Sequence, residues 1–409
     1  MKKIIQQAFF QLRNQPLLSV ITVLGTALAI ALIMVILIVY QAKTADYAPE
    51  VNRSRSLYVK WERTVYDKKD PNSAGHSRPS LWLVKEIFYP LTTPEAVTAT
   101  YEGGEVLVGT VGSDEEMNTP LMLTDAAFWK VYQFRFLAGK PFTEADFQSG
   151  MKQAVIAKSV ARRLFGGAEN AIGKDILVNF AAYTVCGVVD DVNRFCEFTW
   201  SEVYAPYTSN AIASEAEAGQ TSGNNVITIL ARSTDDFDAI RNEVARGVAQ
   251  INTTLGDMEL QLMGQPDNFR MQLNRKFANQ YENLNANFWK YGIMILIILL
   301  VPAINLSGLT NTRMRRRLEE LGIRKAFGAT RNELVWQVLN ENLVLTVMGG
   351  LLGLALAYLF LWLMSDWLLQ TVWGATATMN ASMVSPVIFL IAFGFCLILN
   401  MFSAYVPAW

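Results

Sequence analysis

Four long apolar stretches, one near the amino end and three close together near the carboxyl end, decide what this chain can become. Leu17 to Tyr40 carries no charge, and Phe288 to Leu309, Leu343 to Met364 and Val384 to Tyr405 are each predominantly apolar. At ~1.5 Å per residue, about 22 residues cross a hydrocarbon core ~30 Å thick. The sequence therefore predicts a membrane protein with four transmembrane α-helices in a 1+3 arrangement. The overall content, 52% hydrophobic and 17% charged residues, agrees with a chain partly in lipid. A net charge of −1, with basic residues clustered only beside the membrane, excludes a nucleic-acid partner.

Flanking charge orients the spans. Lys2, Lys3 and Arg13 precede the first, which exceeds the ~7 to 15 apolar residues of a signal peptide and reads as an uncleaved anchor. Arg313, Arg315, Arg316, Arg317, Arg324, Lys325 and Arg331 fill the connection between the second and third spans, whereas Ser365 to Met383 carries only Asp366. Positive residues stay inside, so the basic loop and both termini are expected in the cytoplasm. The layout is a cytoplasmic amphipathic segment 1–16, a span 17–40, an outside domain 41–287 with a helical stalk over about 267–287, and a span 288–309. A cytoplasmic loop 310–342, a span 343–364, an outside loop 365–383, a span 384–405 and a cytoplasmic end 406–409 complete it. The large domain is then expected outside the cytoplasm.

Small residues mark where helices approach. Gly349, Gly353 and Ala357 repeat every four residues, as do Gly25 and Ala29, which predicts two packing stripes. Pro302 frees a backbone carbonyl and Asn305 is costly in lipid unless partnered, so that part of the second span should face protein.

The outside region is expected to be α+β. Ser56 to Trp61, Gly104 to Val111, Gln153 to Ala157, Tyr183 to Val189 and Asn225 to Leu230 are strand-like, being apolar or alternating and rich in β-branched residues. Ser159 reads as the N-cap of a short helix through Phe165 that stops at Gly166 and Gly167, and Asp235 to Leu255 as a longer amphipathic helix. Asp67 to Ser80 and Ala211 to Asn225 read as exposed loops. Phe269, Leu273, Phe277, Tyr281, Leu284 and Phe288 recur at three- and four-residue spacing, which predicts one helical rod from Asp267 to Leu309. Two helices broken at the membrane surface are the alternative, since Asn283, Asn285 and Asn287 are poor helix formers.

Chemistry is sparse. Three cysteines and one histidine do not make a metal site or a disulfide framework; Cys186 and Cys196 read as small buried residues, although a disulfide between them is conceivable, and His76 as a solvated loop residue. Gly167 to Asp175 (GAENAIGKD) fails as a phosphate loop, because five residues separate its glycines and Asp175 follows the lysine. No catalytic residue, metal site or cofactor of this chain's own is expected.

The cytoplasmic loop RRRLEELGIRKAFGATRNELVWQVLNENL places a basic cluster ahead of a short helix bearing Leu318, Leu321 and Phe327, a break at Gly328, and a second helix capped by Thr330 with Glu333. On its residues alone it is either a docking element or a basic turn that sets orientation. LEELGIRKAFGAT resembles the loop of MacB/FtsX-like permeases at Arg317, Glu320, Gly322, Ile323, Arg324, Lys325, Ala326, Gly328 and Ala329. Gln153 to Val189 and Leu137 to Asp146 resemble the extracytoplasmic domain of the same family. The closing SAYVPAW also fits, though family members usually continue into a short basic tail. The resemblance implies a stand-alone ABC permease subunit, paired with a second copy or a related permease. A separate ATPase would dock on the loop and bind ATP and magnesium, and mechanical coupling would drive export or efflux of a drug, peptide or similar substrate. It also admits a periplasmic adaptor or outer-membrane channel as partner. A lipoprotein-release permease shares this layout; a membrane sensor would need a signalling domain after the last span, and a cell-surface enzyme a cluster of titratable groups outside.

Overall fold

The computed structural model describes residues 16–70, 72–110, 112, 115–275, 277–278 and 331–368, with isolated positions between and after these. Contacts divide the chain into one unit of Met1–Lys43 with Asn285–Trp409 and another of Thr44–Leu284. In the first unit, helices Pro16–Thr44 and Arg331–Leu368 contain the windows Val23–Gln41 and Leu343–Leu363, both long and apolar enough to cross a membrane. Most of the expected second and fourth spans, with Pro302 and Asn305, lies outside the described residues.

The second unit is organised around one strand, β4 (Ala96–Thr110). Its first half completes an antiparallel sheet with β12 (Asn225–Leu230), β1 (Ser56–Val59) and β14 (Asp267–Asn268). Its second half starts a closed ring. β4 pairs with β5 (Glu116–Thr124), β5 with β10 (Val203–Pro206), and β10 with β7 (Gln153–Ala157). The ring closes from β7 through β9 (Ala181–Val189) and β8 (Asp175–Val178) back to β4, while β6 (Phe136–Gly139) edges β9. Buried Val108, Ile156, Ile176, Val185 and Val203 come from five of its strands.

β4 changes sheets at a bulge between Glu102 and Glu105. Gly104 there has φ +73°, a conformation open to glycine and costly to branched residues, and a Cβ on Gly103 would lie 3.0 Å from Leu121 Cδ2. The glycine pair, which reads in sequence as the start of a strand at Gly104, lies within a strand that begins at Ala96.

A small sheet, β11 (Ser222–Gly223), β3 (Ala74–Pro79), β2 (Glu62–Val65) and β13 (Glu259–Gln261), corrects the reading of Asp67 to Ser80 as loop. β3 (AGHSRP) shows little β propensity; it forms because β2 and β11 pair with both its sides, and His76, opposite Arg63, is an exposed strand residue instead of a loop residue.

The helices follow with adjustments. Lys158–Phe165 ends as expected at Gly166, φ +76°, but its cap is Ala157; Ser159 is already inside, and its N–H donates to Asp191 Oδ1 at 3.0 Å. Helix Phe237–Thr254 follows a 3-10 turn, Thr234–Asp236, started by a Ser233–Asp236 capping box, and buries Ile240, Val244 and Ile251. The uninterrupted rod from Asp267 does not form. Asp267 and Asn268 are committed to pairing with β1, helix Phe269–Asn274 is one short piece, and Arg275 turns extended while its guanidinium holds the Asp267 carboxylate. The stretch from 279 through Phe288 lies outside the described residues.

Gly104→Val should lower the stability of this unit by about 1–2 kcal/mol, the cost of a branched residue in the left-handed region. Thermal unfolding of the purified chain, followed by tryptophan fluorescence, checks this; an unchanged midpoint would mean that the bulge relaxes freely.

Candidate functional site

Two groups of sequence-selected residues can be placed. The first is the small-residue stripe on helix Arg331–Leu368. A Cβ on Gly349 would lie 2.8 Å from Thr26 Cβ and 3.2 Å from Val23 O, and one on Gly353 would lie 2.7 Å from Ala27 O and 2.9 Å from Ile30 Cβ. Ala357, one turn on, is fully buried. These residues let two backbones approach where any side chain would collide. The first helix meets this stripe with Val23, Thr26, Ala27 and Ile30. Ala29 is 5% exposed, but a Cβ on Gly25 would meet nothing within 4 Å, so Gly25 takes no part in the contact. Every-fourth spacing finds a candidate stripe without saying which neighbouring face is used. The spacing also missed Gly350, whose Cβ would lie 2.7 Å from Phe393 Cδ2.

The second group is the turn before helix Arg331–Leu368. Phe327 N–H donates to Ile323 O at 3.1 Å, closing a helical turn, and Gly328 at φ +92° stops it. The new helix starts with the reciprocal cap read from sequence: Thr330 N–H donates to Glu333 Oε2 at 2.8 Å and Glu333 N–H to Thr330 Oγ1 at 3.4 Å. The backbone N–H and the hydroxyl of Thr330, both bonding to the Glu333 carboxylate, hold that carboxyl below its ordinary value. Ile323, Ala326 and Gly328 are exposed; so is Phe327, at 88%, and Trp336. Phe327 reads in sequence as part of an apolar helix face, yet nothing in the described chain covers it. Arg317, Glu320, Gly322, Arg324, Lys325 and Ala329 lie outside the described residues.

In the unit Thr44–Leu284, two buried carboxylates, Asp125 and Glu62, are satisfied by neutral donors. Asp125 accepts from Thr98 Oγ1 at 2.6 Å, Tyr89 OH at 2.7 Å, Ala99 N at 2.9 Å and Phe128 N at 3.0 Å. Glu62 accepts from Thr64 Oγ1 at 2.6 Å, Ser77 Oγ at 3.0 Å and Ser222 Oγ at 3.1 Å, tying β2, β3 and β11 together. Burial raises both carboxyls, and the hydroxyl bonds pull them part of the way back. Cys186 and Cys196 are separate thiols; burial pushes Cys186 up to about 12 and raises Cys196 further. Both are therefore poor nucleophiles. Such groups brace a fold.

With that geometry in place, the comparisons can be set beside it. Residues 19–246 match the MacB-like periplasmic core domain. The chain belongs to that family. Residues 292–409 also match the FtsX-like permease C-terminal region. An uncharacterized ABC transporter permease of Bacillus subtilis, YknZ, is 23% identical over 345 residues, covering 83% of this chain and 81% of that protein. The macrolide export ATP-binding/permease protein MacB of Wolinella succinogenes is 25% identical over 359 residues, 86% of this chain and 52% of that protein, so the chain spans about half of its length. The crystal structure of the YknZ extracellular domain superposes with a TM-score of 0.36 at 19% identity, over 50% of this chain and 99% of that domain.

This MacB/FtsX-type ABC permease is thus a membrane protein with a periplasmic domain. The FtsX-like match contains the exposed turn and the glycine stripe; the core-domain match contains the strand ring and ends within helix Phe237–Thr254.

Two outcomes follow for this permease. Gly353→Val should destabilise the membrane unit by roughly 1–3 kcal/mol, because its neighbour is backbone that cannot move aside, while Gly25→Ala leaves the midpoint level or slightly raised; thermal melting in detergent compares them. Glu62 has a folded-state carboxyl above its ordinary 4.5. Its stabilising contribution is therefore full below that value and is lost as pH rises through the raised one. Melting of wild type and Glu62→Gln from pH 4.5 upward should show the wild type losing stability relative to the variant; a constant difference would contradict the assignment.

Proposed function

We propose that this chain is the membrane subunit of an ABC transporter and turns ATP hydrolysis by a separate ATPase into movement of its periplasmic domain. In this reading it spans the inner membrane four times with both termini in the cytoplasm, pairs with a second copy or a related permease, and binds no cofactor itself. ATP and magnesium sit on the partner. The transported substrate is of the export class, a drug, a peptide or a similar molecule.

The observation that carries this reading is the exposed turn at Ile323, Phe327 and Gly328, within the FtsX-like region and following a run of arginines. A phenylalanine 88% exposed beside the Gly328 turn suits a pocket on another protein, since an apolar anchor gains most of its free energy by filling one. The surrounding arginines favour an acidic rim around that pocket and speed encounter. The family relation supplies the identity of the partner as an ABC ATPase.

Co-purification of the full chain with ATPase subunits from the same genome tests the docking role. Phe327→Asp and Arg324→Glu should each weaken association by roughly tenfold or more and lower ATP turnover of the complex in parallel. Phe180→Ala, an exposed aromatic on the periplasmic unit, should leave both unchanged. Full association by the two loop variants would remove the docking assignment.

A further inference from the structure

Among the described residues, only two ion pairs bury both partners to 5% exposure or less: Arg53 with Glu50, and Arg275 with Asp267. Both lie where the chain arrives at the outside unit and where it leaves. Arg53 spreads its donors over two pieces of chain. Nε donates to Glu50 Oε2 at 2.8 Å, Nη1 to Ala45 O at 2.5 Å, and Nη2 to Phe195 O at 2.7 Å. Glu50 is completed by Phe198 N at 2.9 Å and Thr199 Oγ1 at 3.0 Å. The guanidinium also lies 4.7 Å from the centre of the Phe269 ring, on the outgoing segment, and 5.6 Å from that of Tyr47. Phe269 in turn meets Tyr58, which stacks on Phe198 at 4.2 Å. On the outgoing side, Arg275 grips Asp267 with Nε and Nη2 and also donates to Met263 O at 3.1 Å.

Buried ion pairs are an inefficient source of stability, since an apolar core of equal volume does as well or better. What they supply is direction: a guanidinium bonded through all three of its nitrogens, with a ring against it, holds the segments around it in one arrangement. Here those segments are the incoming residues 45–53, the loop 195–199 and the outgoing helix that starts at Phe269. We propose that this cluster is a clasp that fixes the incoming and outgoing segments to each other, and that Arg53 is a positioning residue for the transmission of movement into the domain. The inference rests on the mechanical reading above. Without the clasp, a pull on either segment would be spent in its own displacement; with it, both segments move the ring and the sheet as one body.

Amide hydrogen exchange on the full chain with its ATPase in lipid nanodiscs tests this, with magnesium and either ATP or ADP as the only additions. In Arg53→Met, exchange should rise at least about tenfold in residues 45–53 and also throughout 263–275, which Arg53 meets only at the Phe269 ring, while β7 and β9 stay protected. A rise confined to 45–53 overturns the clasp. Should Arg53→Met loosen β7 and β9 as well, Thr199→Val, which removes one hydrogen bond to Glu50, is judged by the same criterion. For the positioning role, ATP should change protection of 263–275 in the wild type, and this response should be lost in the loosened variant while ATP turnover continues. A response kept in the variant overturns that role. No response in the wild type would sink the mechanical reading and the positioning role with it, whereas the clasp stands or falls on the first comparison.

Discussion

One strand holds the periplasmic unit together by belonging to two sheets. Hydrogen bonding along β4 switches partners from β12 to β8 across a bulge of a few residues, so the flat sheet and the closed ring share a single piece of backbone. Closing the ring removes the exposed edges that an open sheet of this size would present. It also means that the ring cannot shift register against the sheet without breaking β4 pairing on both sides. Gly104 makes the switch possible by accepting a backbone angle that bends the strand without a steric penalty.

On that frame the polar interior is arranged for rigidity. Asp125 and Glu62 are surrounded by hydroxyl and backbone donors and carry no positioned base or nucleophile beside them. Among the described residues, charge meets charge in full burial only near where the chain enters and leaves this unit. Most of this braced domain falls within the MacB-like periplasmic core match, while the exposed Phe327 falls within the FtsX-like match.

How much of this could be read from residues depended on whether a segment's environment was written into its own pattern. β7 and β12 are short apolar runs buried along nearly their whole length, and both were legible to the residue. β3 was not, because AGHSRP owes its strand to neighbours distant in sequence. Gly103 and Gly104 announce punctuation, but a break and a bulge share one signature. Spacing alone carried the Phe269, Leu273 and Phe277 stripe past Arg275, where an ion pair to Asp267 ends the helix. The Glu50–Arg53 pair was invisible for the opposite reason: charged residues three apart look like a solvated surface turn, and only the tertiary fold shows them buried. At the turn before helix Arg331–Leu368 the stop and the cap were plain from Gly328, Thr330 and Glu333, whereas the exposure of Phe327 was not.

The glycine stripe has a further property. Its closest approach to the first helix is backbone and the base of two side chains. Small residues recur at 349, 353 and 357, four residues or about 6 Å apart along the axis. Around that row Ile30, Met34 and Ile38 of the first helix pack with Ala357 and Leu361 in one buried cluster. The two parts divide the work: the small residues set how close the helices come, and the large side chains around them set where along the axis they meet.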